Sequence, residues 1–222
     1  MMKRFFVIVL TAVLITGISG QISGQSNEDG SMPQYLFGEF SKSTVKFRSG
    51  QVQTSLMNYN IVTEKMVFIK DDKYFDLMNP ESVDTIFLYD SRFIPAGRVF
   101  HEVMVSAPVS FFIQHKGNLM PAGKPAAYGG TSQLSSTTRL SSISLSSGQY
   151  NLKLPADYIV SSVPLFWIRK DNIMNSFETE KQFLKLFPGK EGKIKEYMKE
   201  NRLKFSRPEN LATVVSYINT LE

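Results

Sequence analysis

The chain contains no cysteine in its 222 residues. That excludes a disulfide framework, a thiolate metal site, a cysteine nucleophile and a lipid-modified cysteine, so the core must hold the fold. Histidine is almost missing as well, with His101 and His115 the only two. Chemistry that needs an imidazole base has two places to sit. A strong charge of one sign is also lacking. The formal net charge is +5, of which Lys3 and Arg4 supply two, leaving 5 − 2 = +3 for the rest. Nine Lys or Arg against three Glu fall between Lys181 and Arg207, so the body of the chain is near neutral. A nucleic-acid binder spreads its basic groups over the folded surface, and no nucleic-acid partner is expected.

A mostly apolar run is present, Phe5 to Ile18, preceded by Lys3 and Arg4 and followed by Gly, Ser and Gln. It is shorter than the roughly 20 residues that cross a bilayer. The pattern is that of a secretory signal peptide over residues 1–25. It implies export to the periplasm or the outer cell surface, and no integral membrane segment after cleavage.

From Tyr35 to about Met120, short runs rich in Val, Ile, Phe, Tyr and Thr recur between turn signals, which predicts an antiparallel β meander. TVKFR (44–48) and QVQTSLMNYN (51–60) flank a two-residue turn at Ser49-Gly50, and EKMVFIK (64–70) and KYFDL (73–77) flank Asp71-Asp72. VDTIFLY (83–89), GRVFHEVMV (97–105) and PVSFFIQH (108–115) are the next strands. VDTIFLY carries apolar groups on both faces, so a cover is expected on each. MVFIKDDKYF (66–75), SFFIQHKGNLM (110–120) and LFWIRKDNIM (165–174) are read as three hairpins of similar design, spaced too unevenly for a true repeat.

Eleven Ser or Thr crowd the 17 residues from Thr131 to Ser147, a stretch too polar to bury much surface, so residues 125–149 are expected to be a loop. YNLKL (150–154) and PLFWIRK (164–170) resume the strand pattern, with Asp171-Asn172 turning into IMNSF (173–177). The period then lengthens to that of helices. Asn175 with Glu178 can open a helix containing Phe183, Leu184 and Phe187, which Pro188-Gly189 stops. Ile194, Tyr197 and Met198 mark a second helix, solvated by lysines and supported by a Glu191–Lys195 pair. Ser206 with Glu209 forms a capping box for a third, whose stripe is Leu211, Val214, Val215, Ile218 and Leu221.

His101 and His115 are the only metal or catalytic candidates, and they are weak ones. In a hairpin whose paired numbers sum to 216 or 214 they share a face and lie close. Their neighbours on that face, Val99, Val103, Val109, Phe111 and Ile113, offer no third ligand, and Glu102 falls on the other side. Zinc needs more ligands than this. The carboxylates Glu39, Glu64, Asp76, Asp84, Asp90 and Glu102 include no pair singled out for glycoside hydrolysis. GNLMPAGKP (117–125) has the wrong spacing for a phosphate loop and GKEGK (189–193) is too short. No Gly-x-Ser-x-Gly turn occurs. No catalytic residue, metal or cofactor is therefore assigned.

NYNIVTEKMVFIKDDKYFDL (58–77), SRFIP (91–95) and FWIRKDNIMNSFETEKQFLKLFPGKEGKIKEYMKENRL (166–203) resemble exported proteins of Gram-negative bacteria with a β meander and a short helical tail. That family has no assigned activity, so the resemblance implies a fold and a location but no site residues.

The sequence thus predicts a mainly β (α+β) chain: an antiparallel meander at 33–177, curled or partly open and barrel-like, capped by about three short helices at 178–222. The function expected is a non-catalytic binding or assembly module whose partner is a protein or the envelope surface. Two alternatives stand beside it: a carrier with an apolar cavity lined by Phe87, Phe111 and Phe112, and a hydrolase with an unrecognised site.

Overall fold

The computed structural model describes residues 32–121, 124–125, 131–132 and 158–221. The expected signal peptide, the strand YNLKL and most of the Ser/Thr-rich loop lie outside the described residues. Among the described residues fourteen strands precede three α-helices: β1 (Ser41–Phe47), β2 (Val52–Asn60), β3 (Lys65–Lys70), β4 (Lys73–Asp76), β5 (Val83–Leu88), β6 (Ser91–Ala96), β7 (Val99–Val105), β8 (Ser110–Gln114), β9 (Gly117–Pro121), β10 (Lys124–Pro125), β11 (Thr131–Ser132), β12 (Tyr158–Ser162), β13 (Leu165–Lys170), β14 (Ile173–Phe177), α1 (Glu180–Lys185), α2 (Glu191–Glu200) and α3 (Pro208–Ile218).

Ten strands form one antiparallel sheet in the order β14-β13-β8-β7-β6-β5-β1-β2-β3-β4. It is open and not closed into a barrel. It is nevertheless curled. In a flat sheet β2 and β6, with β1 and β5 between them, would stand about 14 Å apart, yet the Tyr59 and Phe93 rings stack at 5.7 Å. The concave side is filled by Met57, Tyr59, Met66, Ile86, Leu88, Phe93 and Phe100. At the other end of the same face, Phe111, Ile113, Phe166, Ile168 and Phe177 pack against Phe183, Phe187, Ile194 and the Leu211, Val214, Val215, Ile218 stripe of α3. The helices thus cover one half of the face and the curl covers the other. Lys181, Lys185, Lys193, Lys195 and Lys199 point to water. No helix among the described residues is long and apolar enough to cross a membrane.

Turn chemistry explains the meander. Asp71-Asp72 and Asp171-Asn172 both hold positive φ at each central residue, the geometry that matches strand twist in two-residue hairpins. The β1–β2 turn differs from expectation. Phe47 faces Gln51, the Gly50 N–H donates to the Phe47 carbonyl, and Gly50 alone takes positive φ. Three residues rather than two span the gap, with glycine in the bulge position.

Other differences have local causes. β6 is a central strand despite Pro95, because its ladder with β5 ends at Phe93 and leaves the missing N–H without a neighbour to disappoint. SFFIQHKGNLM is not a hairpin: β9 pairs with β12 and leaves the main sheet. β12 itself, at the end of a weakly patterned stretch, had no expected strand. Thr131–Ser132, inside the expected loop, pairs with Lys124–Pro125. Asn175 lies in β14, and α1 is capped by Thr179 with Gln182 in a reciprocal box. Ser206 caps nothing; Arg207 is the N-cap of α3 and Pro208 opens it. Glu191 and Lys195 do not form the expected pair. VDTIFLY is buried on one face only, since Phe87 is exposed under the Lys46 ammonium.

Candidate functional site

Three central strands bring the densest polar chemistry inward. On β7 a register shift between Val103 and Val105 changes the pairing with β8 from Val105↔Phe111 to Val103↔Phe112. The paired numbers sum to 216 on one side of this bulge and 215 on the other. At 215 residues 101 and 115 fall on opposite faces, since one step of register reverses every side chain. The two histidines therefore do not meet.

His115 instead joins Glu102 on the inner face. Its Nε2 lies 2.6 Å from Glu102 Oε2, and the Ser91 hydroxyl donates to Glu102 Oε1 at 2.5 Å. The imidazole is flanked by Tyr59 and Phe93, and Glu102 faces Phe93 on one neighbouring strand and Ile113 on the other. The group sits at the seam between the helix-covered half and the curled half. Burial pushes the Glu102 carboxyl up, but the hydrogen bonds from His115 and Ser91 and the charge on His115 outweigh it and hold the group below its ordinary value. Burial, and then the charge of Glu64, raises the Tyr59 phenol.

Three residue types of a serine hydrolase are present here in the wrong order. A catalytic triad needs the imidazole between hydroxyl and carboxylate, so that it can take the nucleophile's proton. In this group the carboxylate is central and Ser91 is hydrogen-bonded to it, so that among the described residues His115 is hydrogen-bonded to no hydroxyl.

His101 occupies the outer face, stacked on Trp167 at 5.4 Å and near Phe112. Its Nδ1 is buried without a partner among the described residues. Burial lowers its pKa to about 4, more than the opposing hydrogen bond from Gln114 restores. Beside it runs a polar chain: Trp167 Nε1 donates to Gln114 Oε1 at 3.1 Å, Gln114 Nε2 donates to Glu64, and Lys116 lies 3.5 Å from Glu64.

Of the other carboxylates, Asp76 is paired with Lys65 at 2.7 Å, and Glu39, Asp84 and Asp90 are exposed. Among the described residues no group of three or more His, Asp or Glu could hold a metal ion. The proposed cavity lining also separates: Phe111 lies in the helix-covered core, Phe112 on the opposite face, and Phe87 is exposed. The Ser91–Glu102–His115 group escaped sequence reading because its signal is one extra residue at Met104, and a bulge has no reliable signature in an apolar strand. Comparison of the chain with protein-family models, with curated proteins and with solved structures finds no match.

Proposed function

We propose that the chain is a non-catalytic binding or assembly module, exported to the cell envelope, whose partner is another protein or the envelope surface. The observation that carries this reading is the use made of its scarce acid–base groups. Glu102 and His115 are taken up in contact with each other on the inner face, and burial lowers the His101 pKa to about 4. A general acid or base must instead reach a substrate proton.

The carrier reading is the weaker one, because Tyr59, Phe93, Phe100 and Met57 occupy the concave side where a ligand would lie. Export rests on the leader-like residues Lys3 to Ile18. Native purification from the envelope followed by mass spectrometry tests the whole proposal. A protein bound in fixed ratio supports it, and a co-purified lipid in fixed ratio would replace it with the carrier. Hydrolytic activity abolished by His115→Ala in a variant that still folds would replace it with an enzyme.

A further inference from the structure

The two edges of the ten-stranded sheet are unlike. β4 is four residues long, begins with Lys73 opposite Lys70, and ends in Asp76, the short charged edge that discourages strand addition. β14 is five residues with no charge, and its Ile173 and Met174 are 62% and 38% exposed. The hairpin register decides which backbone groups face outward. Lys170 and Ile173 flank a two-residue turn, so the groups of residues 173, 175 and 177 point to β13. Those of Met174 and Ser176 point away from the sheet, and among the described residues neither makes a backbone bond elsewhere.

We infer that β14 pairs antiparallel with β14 of a second copy, about a two-fold axis at Asn175, joining the two sheets into one. This goes beyond the binding-module reading, since a chain can pair with its own copy whatever else it binds. In this register Met174 faces the partner's Ser176 and exchanges both backbone hydrogen bonds with it, and the symmetric pair does the same.

The side chains fit the register. Met174 and Ser176 share the outer face with Arg169 and Trp167, their partners on β13. Ser176, which pairs with Trp167 on β13, is small, so the partner's Met174 can reach past it to set its thioether against the indole. On the inner face Ile173 comes opposite the partner's Phe177, which is already buried in its own core, so this pair adds little. The strand's ends are oppositely charged, with Lys170 before it and Glu178 and Glu180 after it. Antiparallel self-pairing brings unlike ends together, although Asp171 in the turn offsets part of that gain. A parallel or shifted pairing would lose the Met-over-Ser match. Five residues bury less than a standard interface, so the dimer forms in a concentration-dependent way.

The chain's lack of cysteine makes the test clean. Residue 175 lies opposite itself in a non-hydrogen-bonded pair, within disulfide reach, while residues 173 and 177 face each other. In the full chain, Asn175→Cys should oxidise to a species of twice the mass that reductant reverses, and Ile173→Cys, at an exposed position, should remain largely monomeric. Light scattering of the unmodified chain should show mass rising with concentration, and Met174→Lys, an exposed change, should abolish the rise. Equal cross-linking at 173 and 175 would overturn the register. A monomer at every concentration, with no Asn175→Cys dimer, would overturn the proposal and leave the edge to an extended segment of another protein.

Discussion

Asn219 binds both backbone groups of Val109: its amide oxygen accepts from the Val109 N–H at 2.9 Å, and its amide nitrogen donates to the Val109 carbonyl at 2.9 Å. A residue 110 positions away thereby imitates a neighbouring strand and fastens the end of α3 to the start of β8.

Asn219→Ala leaves both Val109 groups without their partner, at about 1–3 kcal/mol for each one that water cannot reach. The expected result in urea is a lower midpoint with an unchanged slope. A drop under about 0.5 kcal/mol would mean that the clamp contributes little.

His101 should make the fold acid-sensitive. Its folded pKa of about 4 lies below the ordinary 6.5, so the unfolded chain takes up the proton first. The stability this burial contributes is fully present above about pH 6.5 and is lost as pH falls toward about 4, by up to roughly 3 kcal/mol. Glu102, also held low, adds loss in the same direction as pH drops through its folded value. His101→Phe, compared with the unmodified chain in denaturant at about pH 7 and pH 4.5, should flatten this dependence; equal slopes would refute the assignment.

The Glu102–His115 pair can be separated from its surroundings by a double-mutant cycle. His115→Phe leaves a partly buried carboxylate without its imidazole partner and should cost about 2–3 kcal/mol, whereas His115→Phe with Glu102→Leu should recover much of that loss. Ser91→Ala should cost less, about 1–2 kcal/mol. Additive effects of the two larger changes would show that the pair is not coupled.

Gly117 donates its N–H to the Ile61 carbonyl at 2.7 Å, and a Cβ on it would lie 2.7 Å from Ile61 Cγ1 and 3.0 Å from Val160 Cγ1. Gly117→Ala should therefore push the β9–β12 ribbon off Ile61, at about 1–3 kcal/mol. Faster hydrogen exchange confined to residues 117–121 and 158–162 is the expected signature, and unchanged protection there would count against the contact.

The meander was legible wherever alternation and turn chemistry agreed, as at Asp71-Asp72 and Asp171-Asn172. So was the apolar stripe of α3, because its spacing repeats through three turns. β6 was hidden by Pro95, whose harmlessness depends on where the β5 ladder stops. The first helix start was misplaced because Asn175–Glu178 and Thr179–Gln182 both satisfy the capping pattern, and only the pairing of Asn175 with Ile168 decides between them. The candidate site was the least legible part, since it turns on the parity of a strand register.

The departure of β9 from the main sheet also bears on how the molecule is assembled in time. β1 to β8 pair mostly with near neighbours in the chain, whereas the first residues of β13 must find β8 across a gap such as the 53 residues between Gln114 and Trp167. Closing so long a segment is slow but adds only logarithmically to the entropy cost. In the native fold the β9–β12 ladder holds Ser162 beside Gly117, so a chain in which that ladder has formed has only a short link left to close. Because β14 reaches the sheet only through β13, and the helices pack on the face these strands share, weakening the β8–β13 pairing should loosen β14 and the helical cover together.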